Sequence, residues 1–323
     1  MSDPAVLEPI AITGATGFIG KHLVRALVSA GSRPALLTHC GTAEDRFAAR
    51  SELTKHEVDL ANRASIREAL NERKPATVFH LAGTRGRGDA RGAAAACDEL
   101  NLNATVWLLE AAMGAGVRRV VIVGTAEEYG DQPGPLNESL STRAASPYGI
   151  SKARATNRAL ELHEREGCPV VVVRPFSVYG PGQPHHMFVA EAVDSAVRNV
   201  EFKMSRGEQK RDLIFVEDVV RGLIAAASAP DVEGRVINLG SGQCHRLREV
   251  AELIWTLTGA TASLLIGARD AAEAELYDTW ADIRNARRLL GWQPRVELED
   301  GLRRTIESAK DQLAARAQVC QVM

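Results

Sequence analysis

The chain has 323 residues, 45% hydrophobic and 25% charged, which allows one large domain or two moderate ones around a well-buried core. Its formal net charge of −2 argues against binding to nucleic acid or to an anionic membrane, and no apolar run is long enough to span a bilayer. The cysteines are scattered without a CxxC pair or a Cys/His cluster, so we expect no disulfide framework, no metal site and a reducing, cytoplasmic location.

Up to about residue 175, short apolar runs alternate with helical patterns. Runs rich in β-branched residues predict strands at 6–13, 34–38, 76–83, 118–125 and 169–175. The patterns between them predict helices at 17–31, 67–74, 93–115 and 146–166. Near-continuous apolar strands separated by helices are typical of a parallel sheet covered on both faces. The sequence therefore predicts an α/β fold with a doubly wound parallel sheet of the Rossmann type.

The rhythm changes after Pro175. The stretch RPFSVYGPGQPHH is dense in Gly and Pro, which predicts a loop, and the later apolar and helical pieces are shorter. This portion predicts a smaller, mixed α/β lobe. We place the main domain at residues 1–174 plus about 212–240, and the lobe at about 175–211 and 241–323.

The segment GATGFIG places Gly14, Gly17 and Gly20 between the first predicted strand and the first predicted helix. Gly14 permits a tight turn, Gly17 lets a pyrophosphate approach the backbone, and Gly20 lets the helix pack closely on a strand. The free amides and the positive end of that helix suit a diphosphate. The pattern predicts a dinucleotide site, and the alternative is a helix-capping turn without a ligand.

The end of the second predicted strand bears on which dinucleotide binds. NAD-selective sites usually carry an acidic residue about 20 positions after the glycine motif. The corresponding residues here are not acidic: Thr38, His39 and Cys40. Removing the carboxylate removes repulsion of a 2′-phosphate, and His39 and Arg46 are available as cations, which favours NADP(H). The alternative is that Glu44 or Asp45 folds back to serve NAD(H).

Tyr148 and Lys152 stand four residues apart in SPYGISKAR. On a helix this spacing puts both side chains on one face, about one turn apart. Taken alone, the pair is compatible with an amphipathic surface helix that carries a snorkelling lysine.

Six segments together resemble the extended short-chain dehydrogenase/reductase superfamily that acts on nucleotide sugars: GATGFIG, HEVDLAN, FHLAG, VGTAEEYG, YGISK and RPFSVYGPGQ. The resemblance runs from Ile10 to about Ile306. It implies that Tyr148 exchanges a proton with a sugar oxygen, that Lys152 favours the phenolate and holds a cofactor ribose, and that Thr125 binds the same oxygen. The implied cofactor contacts are Gly14, Thr16, Gly17, Phe18, Ile19, Gly20, Thr38, His39, Asp59, Leu60, Leu81, Ala82, Gly83, Tyr148, Lys152 and Pro175.

The segment TAEEYG bears on the reaction. Some dehydratases of this superfamily carry Asp where this chain has Ala126, and a catalytic Glu where it has Glu127. The segment also looks like reductases of GDP-4-keto-6-deoxymannose and related sugars. We favour NADPH-dependent reduction of a nucleotide-activated 4-keto-6-deoxyhexose. The alternatives are a 4-epimerase, a 4,6-dehydratase or, remotely, a non-catalytic cofactor-binding protein. Glu127 is either catalytic or orients a sugar hydroxyl.

The resemblance also implies substrate contacts and a homodimer. Ser177 stands where relatives carry a substrate-binding Asn, and Arg211 and Arg269 fall where relatives bind the nucleotide diphosphate. An arginine suits that role because it chelates phosphate bidentately; the alternative for each is a surface ion pair. Arg85 or Arg87, in TRGRGDARG, is a further phosphate candidate. Relatives dimerise through the helices that correspond to 93–115 and 146–166.

Overall fold

A computed structural model describes residues 6–39, 53–86, 89–270 and 278–322 of the chain. Within them the strands are β1 (Ile10–Thr13), β2 (Ala35–Thr38), β3 (Lys55–Glu57), β4 (Thr77–His80), β5 (Arg119–Val123), β6 (Val170–Pro175), β7 (Ser177–Tyr179), β8 (Phe202–Met204), β9 (Lys210–Arg211), β10 (Leu213–Phe215), β11 (Val236–Leu239), β12 (His245–Arg246), β13 (Leu264–Ile266) and β14 (Asp278–Thr279). The α-helices are α1 (Phe18–Ser29), α2 (Arg63–Arg73), α3 (Ala90–Cys97), α4 (Ala104–Gly114), α5 (Pro147–Glu166), α6 (Phe188–Val197), α7 (Val216–Ser228), α8 (Leu247–Thr258), α9 (Arg284–Leu290) and α10 (Leu298–Val322).

Seven parallel strands form the central sheet, in the order β11-β6-β5-β4-β1-β2-β3. Every residue of β1, β4 and β6 is buried, as expected for strands covered on both faces. Helices α1 and α7 pack on each other, as do α2 and α4, and separate hydrophobic clusters lie against the two faces. The predicted doubly wound parallel sheet is therefore confirmed, and each predicted strand run contains an observed strand.

The predicted helix at 93–115 has an interruption in its backbone pattern. A π-helical segment, Asp98–Asn103, joins α3 to α4 without breaking the helical path. π-helical turns shift the register of a helix and are frequent at functional sites. Here the turn includes Asn101, whose side chain is completely buried.

The later part of the chain builds three small sheets beside the large one: β10-β7, β12-β9-β14 and β13-β8. A third hydrophobic cluster fills this region with side chains from α6, α8 and α10. Strand β11 does not belong to these small sheets. It pairs with β6 in the central sheet, with Val236 opposite Val172. The predicted domain boundaries stay a prediction.

The stretch 174–186, predicted as a loop, begins with the last two residues of β6 and contains a further strand of three residues, so the loop prediction is wrong at five positions. Ser177–Tyr179 forms β7, which pairs in parallel with Leu213–Phe215. Tyr179 is buried against Phe215, with ring centroids 5.6 Å apart. The packing of these rings and the shared ladder outweigh the local preference of the flanking Gly and Pro residues for a loop.

Two observations concern other kinds of site. No helix in the described residues is long and apolar enough to cross a membrane. Over the same residues, no group of three His, Cys, Asp or Glu side chains is arranged to hold a metal ion.

Candidate active site

A cavity of about 630 Å³ opens where the central strands end. Its walls come from the segments that follow β1, β4, β5 and β6, from the start of α5, and from the small lobe. In parallel α/β sheets, ligands bind outside the carboxyl ends of the strands. The cavity therefore lies where this fold is expected to bind its ligands.

The glycine loop forms one wall of the cavity, and Gly14 and Gly20 leave no room for a Cβ atom. Gly14 has φ +69°, and a Cβ on it would lie 2.6 Å from the backbone nitrogen of Ala82. A Cβ on Gly20 would lie 2.1 Å from the carbonyl oxygen of Gly14. Gly17 caps α1 without a side-chain hydrogen bond, and the first turn of α1 holds no acidic residue. The amides at this helix end are therefore suited to a pyrophosphate. The loop with Gly14, Gly17 and Gly20, called the glycine cradle below, fits a dinucleotide.

Thr125, Tyr148 and Lys152 also line this cavity. Thr125 lies two residues after the end of β5, and its side chain lowers the pKa of Tyr148 as a hydrogen-bond partner. Ser146 caps α5 by accepting a hydrogen bond from the backbone N–H of Gly149 at 3.0 Å, which places Tyr148 in the first turn. Lys152 lies one turn further on and donates to the carbonyl oxygen of Val123 at 2.9 Å. The structure thus brings Thr125, Tyr148 and Lys152 into one cavity, which Glu127, the fourth predicted catalytic residue, also lines.

Burial shifts both titrating groups of this trio. It raises the pKa of Tyr148 to about 12, with Glu127 and Glu128 acting in the same direction and Arg85 and Thr125 opposing. Burial also lowers the pKa of Lys152 to about 8, against the carboxylate of Glu128. The phenol therefore holds its proton at neutral pH.

A buried ion pair, Glu128 with Arg174, holds the backbone of Thr125 in place. The Glu128 carboxylate accepts from the backbone N–H of Thr125 at 2.9 Å and pairs with Arg174 at 2.7 Å. The Glu128 and Arg174 side chains are 0% and 4% exposed, and the Arg174 guanidinium lies 4.6 Å from the ring centroid of Tyr129. The sequence interpretation missed this role, although T-x-x-E is a capping-box pattern.

A second buried group, Asn101, fixes the loop after β4. Its side-chain oxygen accepts from the Thr84 backbone N–H, and its amide nitrogen donates to the Thr84 carbonyl, both at 2.8 Å. The amide nitrogen also lies 2.9 Å from the Ser151 hydroxyl on α5. The sequence interpretation missed Asn101 because its contacts depend on the π-helical turn.

The loop after β4 also brings Arg85 over the catalytic trio. Its guanidinium carbon lies 4.4 Å from the centroid of the Tyr148 ring. Its Nη2 atom lies 2.6 Å from Oε1 of Glu127. The sequence named Arg85 only as a phosphate candidate, because the pairing with Glu127 joins residues 42 positions apart.

Most predicted site residues line the cavity: Gly14, Gly17, Phe18, Ile19, Gly20, Leu81, Gly83, Thr125, Glu127, Tyr148, Lys152, Pro175, Ser177 and Arg211. The remaining described ones do not: Thr16, Thr38, His39, Asp59, Leu60, Ala82 and Arg269. Arg269 pairs with Glu191 at 2.9 Å on the surface, with its side chain 55% exposed. Five residues named in the sequence analysis lie outside the described residues: Cys40, Glu44, Asp45, Arg46 and Arg87.

Comparison with known proteins identifies the family. The sequence model described as "NAD dependent epimerase/dehydratase family" matches residues 10–240. The chain belongs to this family. The resemblance to the extended short-chain dehydrogenase/reductase superfamily is thereby confirmed, and with it the prediction of an enzyme.

Curated relatives in this family carry out different reactions. A UDP-glucuronate 4-epimerase of Thermodesulfobacterium geofontis is 29% identical over 94% of this chain and 96% of its own length. A dTDP-glucose 4,6-dehydratase of Streptomyces griseus is 30% identical over 91% and 92%. A GDP-6-deoxy-D-mannose reductase of Pseudomonas aeruginosa is 27% identical over 90% and 94%. The comparisons thus support an epimerase or dehydratase at least as well as a reductase.

Solved structures show the same fold with either dinucleotide. MoeE5, in complex with UDP-glucose and NAD, is 32% identical with a TM-score of 0.84, covering 95% of this chain and all of its own. RMD from Pseudomonas aeruginosa, complexed with NADPH, is 26% identical with a TM-score of 0.80, covering 94% and 100%. The preference of this chain between NAD(H) and NADP(H) therefore stays a prediction.

Proposed function

We propose that this chain reduces the keto group of a nucleotide-diphosphate sugar, with NADPH as the favoured reductant and a 4-keto-6-deoxyhexose as the favoured sugar. The observation that carries the proposal is the placement of Tyr148, with Thr125 and Lys152, in the cavity that the glycine cradle borders. A phenol with its pKa raised to about 12 is protonated at neutral pH. That is the form which donates a proton to a carbonyl oxygen as the carbon is reduced.

The surrounding residues have separate tasks. Thr125 orients the reacting oxygen towards Tyr148, and the Lys152 ammonium stabilises the phenolate left after the proton has moved. Arg211, which lines the cavity from the small lobe, binds the diphosphate, and Ser177 contacts the same ligand. Glu127 holds sugar hydroxyls.

The glycine cradle holds the dinucleotide, together with Lys152 and Pro175. When bound, the nicotinamide supplies the hydride. We propose NADP(H) because Thr38 ends β2 where NAD-selective sites carry a carboxylate. Replacing Thr38 with Asp tests this proposal. The ratio of kcat/KM for NADH to that for NADPH is expected to rise at least about tenfold, because a carboxylate repels the 2′-phosphate. An unchanged ratio refutes the assignment.

A 4-epimerase is the second candidate, because epimerases are among the relatives that match over nearly the whole chain. An epimerase uses the same trio but oxidises and then reduces one carbon, so the dinucleotide is recycled. A 4,6-dehydratase is a third candidate, because Glu127 stands at the position of the dehydratase Glu and a dTDP-glucose 4,6-dehydratase is among the relatives, although Ala126 replaces the Asp that some dehydratases carry.

One assay separates these candidates. The purified protein is incubated with NADPH and GDP-4-keto-6-deoxymannose, then with the corresponding dTDP, UDP and CDP 4-keto sugars. NADPH loss in a 1:1 ratio with a reduced sugar supports the reductase. Conversion of an ordinary nucleotide hexose to its epimer without net loss of dinucleotide supports the epimerase. No turnover of any nucleotide sugar refutes all three.

We also propose a homodimer that pairs the faces of the helical stretch 93–115, which contains α4, and of α5. Ile150, in α5, is an exposed large apolar side chain, 41% accessible, and Arg154 in the same helix pairs with Asp98. Burying this apolar side chain against a second copy would favour association. Light scattering after size exclusion should give the mass of two chains, and a mass of one chain refutes the proposal.

A further inference from the structure

Two side chains of opposite charge, Arg85 and Glu127, lie next to Tyr148. Arg85 approaches from the loop after β4 and stacks over the Tyr148 ring, with 4.4 Å from its guanidinium carbon to the ring centroid. The same guanidinium lies 2.6 Å from Oε1 of Glu127, and the Ser146 hydroxyl donates to Oε2 of Glu127 at 3.0 Å. All four residues line the cavity. Any sugar whose oxygen reaches Tyr148 therefore lies beside both a cation and an anion.

This pair is open to a ligand. The Arg85 side chain is 53% exposed and the Glu127 side chain 27% exposed. An ion pair at this level of exposure holds together weakly, at about 0–1 kcal/mol. A ligand can therefore insert between the two groups at little cost, provided that it replaces the hydrogen bonds of both.

A neutral sugar ring meets this requirement. One hydroxyl group accepts a hydrogen bond from Arg85 and a neighbouring hydroxyl donates one to Glu127. Both charged groups therefore keep a hydrogen-bond partner when the sugar is bound. A sugar carboxylate replaces the hydrogen bonds of Arg85 but not those of Glu127. It places a second negative charge beside Glu127 and separates that carboxylate from the Arg85 cation.

We propose that Arg85 and Glu127 form a donor–acceptor clamp that selects an uncharged sugar ring and rejects uronates. The inference deepens the proposed function and rests on it, because it requires a nucleotide sugar in this cavity. A UDP-glucuronate 4-epimerase is among the relatives, and MoeE5 has been solved with UDP-glucose and with UDP-glucuronic acid, so selection against uronates is not a property of the family as a whole.

The test is calorimetric binding to two pairs of ligands that differ in the sugar carboxylate: UDP-glucose with UDP-glucuronate, and GDP-mannose with GDP-mannuronate. In whichever pair binds, the uncharged sugar is expected to bind at least about tenfold more tightly. Glu127→Gln keeps a hydrogen-bonding group but removes the charge. It should shrink that preference at least about tenfold, mainly through tighter binding of the uronate.

Two further variants complete the test. Arg85→Gln should weaken binding of the uncharged sugar without improving binding of the uronate. Glu161→Gln, which removes an exposed carboxylate paired with Arg158 in α5, should leave the preference as in the wild type.

Equal or tighter binding of the uronate by the wild type overturns the clamp and leaves the proposed function standing. An unchanged preference in Glu127→Gln overturns it in the same way. Failure of all four nucleotide sugars to bind, together with no turnover of the keto sugars, overturns the proposed function as well.

Discussion

Removing the carboxylate of Glu128 should destabilise this fold more than removing an exposed carboxylate. Glu128 is fully buried, pairs with an Arg174 that is itself 4% exposed, and accepts a hydrogen bond from the backbone N–H of Thr125. In Glu128→Ala the guanidinium stays buried without its partner, which costs about 3–5 kcal/mol. Loss of the cap on Thr125 adds about 1 kcal/mol. We therefore expect the free energy of unfolding to fall by about 4–6 kcal/mol.

Urea unfolding followed by circular dichroism measures this loss. The matched control is Glu161→Ala, which breaks an exposed pair with Arg158 and should cost less than about 1 kcal/mol. The double variant Glu128→Ala/Arg174→Met removes both buried charges and should recover more than half of the lost stability. A cost below about 2 kcal/mol for Glu128→Ala, or a double variant less stable than the single one, would refute the reasoning.

Three further predictions concern the cavity. Tyr148→Phe should lower kcat by about 10²–10⁴-fold while dinucleotide binding, measured by fluorescence titration, stays within a factor of two; retained turnover would exclude Tyr148 as the proton donor. The pKa of Lys152 is about 8 in the fold against 10.5 in the unfolded chain, so the unfolded state binds more protons between these values. The free energy of unfolding of the wild type, minus that of Lys152→Met, should therefore rise between pH 8 and pH 10, by at most about 1.4 kcal/mol per pH unit in urea titrations. A free-energy difference that does not change with pH would contradict this. Gly20→Ala, whose Cβ would lie 2.1 Å from a backbone oxygen, should weaken dinucleotide binding at least about tenfold, whereas Gly114→Ala meets no atom within 4 Å and should not; equal affinities would count against the cradle.

The parts of the site that were predictable from sequence are those that local rules encode. The glycine loop has a fixed order of strand, turn and helix, and the Tyr148–Lys152 spacing is one helical turn. The central strands were predictable because burial on both faces makes their sequences continuously apolar. These features need no knowledge of distant parts of the chain.

The features that were missed depend on contacts between distant residues. Strand β7 forms because Leu213–Phe215 offers it a ladder, although its flanking residues favour a loop. Arg85 meets Glu127 only once β4 and β5 are paired. Arg269 is paired with Glu191 outside the cavity lining, so its contact with a phosphate stays a prediction.

The central claim is that Tyr148 gives a proton to a sugar oxygen while hydride is added to the same carbon. The most direct measurement is NMR of the product formed from a nucleotide 4-keto sugar and NADPH deuterated at the transferable position, with the wild type and with Tyr148→Phe. Our account predicts one deuterium on the former carbonyl carbon in the wild-type product, and at least about 100-fold slower incorporation in the variant. Deuterium at another carbon, or equal incorporation by the variant, would contradict it.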